Sequence, residues 1–146
     1  MQKNLEEIIH FENNYSDQFS VTSHHSIFLS RISKLLEIES LHCEDLSIIW
    51  VTDDYLRQLH IDYLDDPTYT DVMTFNYGEE NTIDGELYIS IDRAKEHADK
   101  FRVSLEEELS RLIIHGLLHI AGYDDHSDVE KKVMREKENY YLVDMK

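Results

Sequence analysis

The sequence predicts an α+β fold in one domain, a small four-stranded sheet packed with about five helices. Four short segments are apolar and β-branched or alternate with the period of a strand, and five longer ones carry helical periodicity or helix start signals. The strands gather in the first half of the chain and the helices dominate the second, the order of an α+β or mixed α/β sandwich. The 146 residues are 41% hydrophobic, with one proline and four glycines, a composition that fits one core (residues 1–146) and leaves little room for linkers.

In chain order, IIHF at 8–11 reads as a strand. The stretch 24–39 places Phe28, Ile32, Leu35 and Leu36 on one helical stripe. LSIIWVT at 46–52 is short, apolar and β-branched, a buried strand, and 53–63 reads as a short helix opening at Asp53. TDVMTFNY at 70–77 alternates as a second long strand would; YGEENTIDG at 77–85 is a polar turn, and ELYISI at 86–91 returns. Asp92 is placed to cap a helix over 93–101. Ser104 with Glu107 forms a capping box ahead of LEEELSRLIIHGLLHIAG, which Gly122 ends, and Ser127 with Glu130 opens a last helix to about 143.

The net charge of −17 favours solubility and repels nucleic acid at long range. The cations are clustered, however: Arg93, Lys95, Lys100 and Arg102 in one stretch, Lys131, Lys132, Arg135 and Lys137 in another. Their ordinary reading is solvated helix faces paired with neighbouring glutamates. No apolar run approaches the ~20 residues of a membrane span, and the opening MQKNLEEIIHFENN lacks the apolar stretch of a secretory leader. Cys43 has no second cysteine to pair with, so a reducing compartment, the cytoplasm, is expected.

The chemistry lies in the helix over 105–121. His115 and His119 are four residues apart, which puts both imidazoles on one face with Cβ atoms ~5–6 Å apart. Gly122 then breaks the helix, and Tyr123-Asp124-Asp125-His126 follows with a third ligand, at Asp125 or His126. Three protein ligands and an open position make a catalytic metal site, whereas structural zinc takes four. A histidine pair at this spacing also occurs on helices that bind nothing. Here Ile113, Ile114, Leu117, Leu118 and Ile120 bury the helix, and buried imidazoles need partners. One cysteine cannot build a thiolate site. Gly116 occupies the position where an H-E-x-x-H protease carries its glutamate base, so peptidase chemistry of that kind is disfavoured.

HGLLHIAGYDDH resembles the H-G-x-L-H-L-x-G-Y-D-H signature of the YbeY endoribonuclease and rRNA maturation family. TYTDVMTF at 68–75 resembles that family's P-T-D-V-L-S-F segment and DGELYIS at 84–90 its G-D-I-x-I-S strand, so the likeness covers roughly 45–140. It implies a small mixed sheet packed with helices and one Zn²⁺ in a cleft. The implied activity is single-strand-specific RNA cleavage in maturing the 3′ end of small-subunit rRNA and in ribosome quality control. The implied partners are single-stranded RNA and the small ribosomal subunit, with a protein partner on the ribosome and no membrane.

Two positions depart from the family's pattern. Its third histidine usually falls ten positions after the first; that position is Asp125, with His126 one further on, and register favours Asp125. Its arginine in Y-R-G-x-D-x-P-T aligns with Leu64, leaving Arg57 as a weak substitute for charge stabilisation. The implied catalytic carboxylates are Asp124, placed to orient water or move a proton, and Asp71, lining the cleft beside Thr70. Asp71 reads equally well as a strand-end cap or as a hydrogen-bond partner of a ligand histidine.

Overall fold

The computed structural model describes residues 4–143. Its strands are β1 (Ile9–Asn13), β2 (His42–Val51), β3 (Val72–Asn76) and β4 (Thr82–Ser90), in the sheet order β1-β2-β4-β3. β1, β2 and β4 run parallel; β3 pairs antiparallel with β4 at one edge. The helices are α1 (Leu5–Ile8), α2 (His25–Ile38), α3 (Asp53–Leu64), α4 (Ile91–Phe101), α5 (Leu105–Ile120) and α6 (Asp128–Leu142), with a 3₁₀ turn at Thr22–His24. The helix beyond the five expected is α1, a single turn capped by Asn4. Among the described residues no helix is long and apolar enough to cross a membrane.

β2 is central and apolar on both faces: Leu46, Ile48, Ile49, Trp50 and Val51 are all buried. A run that buries successive residues from Ile48 to Val51 is the signature of a strand covered on both sides. β2 and β4 each begin earlier than hydropathy indicates, at His42 and Thr82, because they pair with each other there through a stretch of mostly polar residues that includes only one buried pair, Cys43 and Ile83. Backbone pairing needs no apolar side chain, so the pattern alone misses these ends.

The helix starts also differ in detail. α4 is capped by Ser90, whose Oγ accepts the Arg93 amide at 3.1 Å. Asp92 instead accepts the Asp53 amide and the Tyr15 hydroxyl, each at 2.8 Å, tying α4 to α3 and to the loop after β1. Thr52 caps α3. Ser127 and Glu130 form the full capping box of α6, and Ser104 Oγ accepts the Glu107 amide at the start of α5.

α5 is the axis of the molecule. It packs on β3 and β4 and is flanked by α2, α4 and α6, burying Leu109, Leu112, Ile113, Ile114, Leu117 and Leu118. Each such side chain contributes about 1.5–3 kcal/mol through lost apolar exposure. The α2 stripe of Phe28, Ile32, Leu35 and Leu36 closes the same core. On the opposite sheet face, Leu56 of α3 covers Ile49, Val51 and Met73. Gly116 is where α5 touches the sheet: a Cβ there would lie 2.7 Å from Leu87 Cδ2 and 3.1 Å from Thr74 Cγ2. A carboxylate at this position would face the core, so the residue type is set by packing.

Candidate metal centre

α5 ends in a Schellman turn. The Gly122 amide donates to the His119 carbonyl (3.1 Å) and the Tyr123 amide to the Leu118 carbonyl (3.0 Å), with Gly122 at φ +106°. A residue with Cβ is strained at that angle, which explains the glycine. The turn folds the chain back over the last helical turn. Tyr123 then donates its hydroxyl to Glu39 at 2.8 Å, and Lys137 Nζ and the Tyr141 hydroxyl bind the same carboxylate. Burial pushes the Glu39 carboxyl up, but hydrogen bonds from Tyr141, Tyr123 and Lys137 outweigh it and hold the group below its ordinary range. The returning segment is therefore tied to the end of α2 and to α6.

This brings Asp125 onto the histidine pair. His115 Nε2 and His119 Nε2 are 3.0 Å apart, and Asp125 Oδ2 lies 3.4 Å from the first and 3.6 Å from the second. A tetrahedral ion with bonds of ~2.0–2.1 Å needs ligand atoms about 3.3–3.4 Å apart, so the three donors have the spacing of one face of such a site. They form the one group of histidine, cysteine or acidic residues among those described that could hold a metal ion. His126 lies outside it, with a side chain 82% exposed and 4.0 Å from Asp124.

The far side of the His115 ring is held as firmly. Its Nδ1 is 2.7 Å from Glu138 Oε2, and Glu138 Oε1 accepts from Arg111 Nη1 at 2.9 Å. A carboxylate on Nδ1 fixes that proton and leaves Nε2 for a metal. Burial lowers the basicity of His115, yet the hydrogen bond and charge of Glu138 outweigh it and raise the imidazole above its ordinary value. Burial likewise raises Glu138, and His115 with Arg111 more than reverses it.

Two of the donors, His115 and Asp125, line a cleft of about 420 Å³. Asp71 lines it; Asp124, on the turn, is not among the lining residues, and its side chain is 59% exposed. Lys100, Arg111, Lys131 and Arg135 also line the cleft, so both cationic clusters of the sequence contribute to one rim. The remaining members are engaged elsewhere or lie off it, Arg93 on Asp53, Lys95 on Tyr15 and Lys137 on Glu39. Arg57 is no part of the rim: its Nε donates to the Pro67 carbonyl at 2.8 Å and its guanidinium lies over Tyr69. Leu64 is 62% exposed.

Sequence reasoning missed Glu138, Arg111, His97 and Glu108. A signal existed for most of them. Glu138 falls on the apolar stripe of α6 between Met134 and Tyr141, where a buried acid needs a partner. Glu108, Arg111, His115 and His119 follow one another at helical spacing, a polar seam on an otherwise apolar helix.

The model of the family described as Endoribonuclease YbeY matches residues 9–146. The Endoribonuclease YbeY of Flavobacterium psychrophilum is 39% identical over 129 residues, 88% of this chain and 91% of that protein. The one from Christiangramia forsetii is 36% identical over 126 residues, 86% and 88% of the two chains. The solution structure of TM1509 from Thermotoga maritima superimposes with a TM-score of 0.62 at 28% identity, covering 92% of this chain and 87% of that one. With a family match over nearly its whole length and a cleft built around two histidines and an aspartate, this chain belongs to the Endoribonuclease YbeY family.

Proposed function

We propose that this chain is a zinc-dependent, single-strand-specific endoribonuclease acting in small-subunit rRNA 3′-end maturation and ribosome quality control. The observation that carries this reading is the set of three donors near tetrahedral spacing, two of them lining a cation-rimmed cleft, in a member of this family. His115, His119 and Asp125 hold the ion, the carboxylate taking the place that register assigns to a histidine. When bound, zinc supplies Lewis acidity toward a phosphoryl oxygen and lowers the pKa of water from 15.7 toward ~7.

The chain's own residues do the rest. Glu138 keeps the His115 ring in one orientation and tautomer. Asp71 and Asp124 orient the attacking water and take its proton. Lys100, Arg111, Lys131 and Arg135 bring positive charge to the cleft of a protein whose overall charge repels RNA. The cleft has the volume of a small-molecule site, which suits an unstacked base or a phosphate of a single strand.

The test is His115→Ala, prepared under zinc-replete conditions. It loses stoichiometric zinc and cleavage of single-stranded RNA; full cleavage without bound metal would overturn the reading. The exposed Leu64 favours one alternative, a non-catalytic ribosome-associated factor with a structural metal. That reading requires zinc to raise the melting temperature while cleavage stays undetectable at every metal loading.

A further inference from the structure

A second imidazole with a different set of partners lines the same cleft as His115 and Asp125. His97, on α4, has Nδ1 3.6 Å from Glu108 Oε2 and 4.0 Å from Asp71 Oδ2. Glu108 is 4% exposed, while His97 is 29% exposed and lines the cleft beside His115 and Asp125. Two carboxylates from different elements thus face one edge of the ring. Among the described residues Nε2 has no hydrogen-bond partner. Burial keeps the Glu108 carboxyl above its ordinary value, against the pull of His97 and Arg111.

Hydrolysis of a phosphodiester expels a sugar oxygen that is a strong base, so a positioned proton donor accelerates the step by ~10²–10⁴. The cleft's lysines and arginines supply positive charge, whereas imidazole is the side chain whose ordinary proton exchange spans neutral pH. His115 is taken by the metal group. His97 is the remaining imidazole of the cleft.

We propose that His97 is the general acid of the reaction, a role that rests on the nuclease reading above. The attacking water forms the new P–O bond and gives its proton to the Asp71 carboxylate. As the P–O bond to the departing sugar oxygen breaks, that oxygen takes its proton from His97 Nε2. Transfer from Asp71 to His97 through an intervening water restores both groups, so protons balance over a turnover. Glu108 positions the ring by facing Nδ1 and turning Nε2 to the cleft.

The experiment compares His97→Gln and His97→Ala on two substrates, a single-stranded RNA oligonucleotide and the p-nitrophenyl ester of a nucleoside phosphate. The p-nitrophenolate leaves without a proton. Both variants fall ~10²-fold or more in kcat on RNA, keep the aryl-ester rate within a few-fold and keep wild-type zinc content by elemental analysis. The alkaline limb of the RNA pH–rate profile changes with them. Asp71, from the segment before β3, and Glu108 of α5 face His97, and Lys100, Arg111, Asp125, Lys131, Arg135 and Glu138 line the same cleft. Each therefore needs its own control profile. Equal losses on both substrates, an unchanged RNA rate or loss of zinc would each overturn the assignment. A zinc-loaded wild-type protein that cleaves neither substrate would overturn the nuclease reading itself.

Discussion

Glu138 Oε2 sits 2.7 Å from His115 Nδ1, on the opposite side of the imidazole from Asp125. The ring is thus gripped at one nitrogen while the other faces the candidate metal position. Glu138→Ala weakens zinc binding by roughly 10–100-fold, the usual cost of removing such a carboxylate. Glu138→Gln still accepts a hydrogen bond and loses less. Zinc titration against a competing chelator ranks the three proteins, and equal affinities would show that the carboxylate does nothing for the metal.

The third donor is checked by composition. Asp125→Ala loses at least about tenfold in zinc affinity, Asp125→His retains the ion, and His126→Ala behaves as wild type. Elemental analysis of each purified protein reads the outcome. A zinc-free His126→Ala protein would move the third ligand to His126.

How much of this was legible in the chain differs from part to part. The His115–His119 pair follows from helix periodicity, and the fold class follows from where the strand and helix patterns lie. Register only inclines the third donor toward Asp125, because a turn has no fixed side-chain direction until the Schellman geometry and the Tyr123–Glu39 bond set it. Glu138 and His97 come from other helices, α6 and α4, and only packing brings them to α5.

RNA affinity should follow the rim and not the net charge. Lys131→Glu with Arg135→Glu weakens binding of a single-stranded oligonucleotide and lowers the slope of log K against log salt by about 0.7 for each phosphate that is no longer neutralised. Lys132→Glu, off the cleft lining, leaves the slope near wild type. Equal effects at 131 and 132 would return these lysines to plain solvated faces.

Glu108 is a site where function opposes stability. Its folded pKa is raised, chiefly by burial, so the ionised form is disfavoured in the native state and stability is lost as pH rises through the folded value. Glu108→Gln removes that penalty: its stability gain over wild type is absent below about pH 4.5 and appears above it. Urea denaturation at pH 4 and pH 7 tests the sign. A gain confined to pH 4 would contradict it.

Gly116→Ala sets two effects against each other. Alanine improves helix propensity by about 0.8–1.0 kcal/mol, while overpacking against Leu87 and Thr74 costs ~1–3 kcal/mol. The net is a loss of roughly 1 kcal/mol, seen as a melting temperature lower by several degrees. A stabilised variant would mean that Leu87 has room to turn aside.

Because α5 is both a central piece of the core and the bearer of the histidine pair, the molecule has no separate scaffold from which a bound ion could be shed early. The amides of Ile113 through Leu118 should exchange with solvent only through complete opening, on the slowest timescale of the chain. Saturating ion should then slow exchange across the whole core by the mass-action factor 1 + [L]/Kd, and not merely around the ligands. Chelation becomes, in effect, a mild global denaturant.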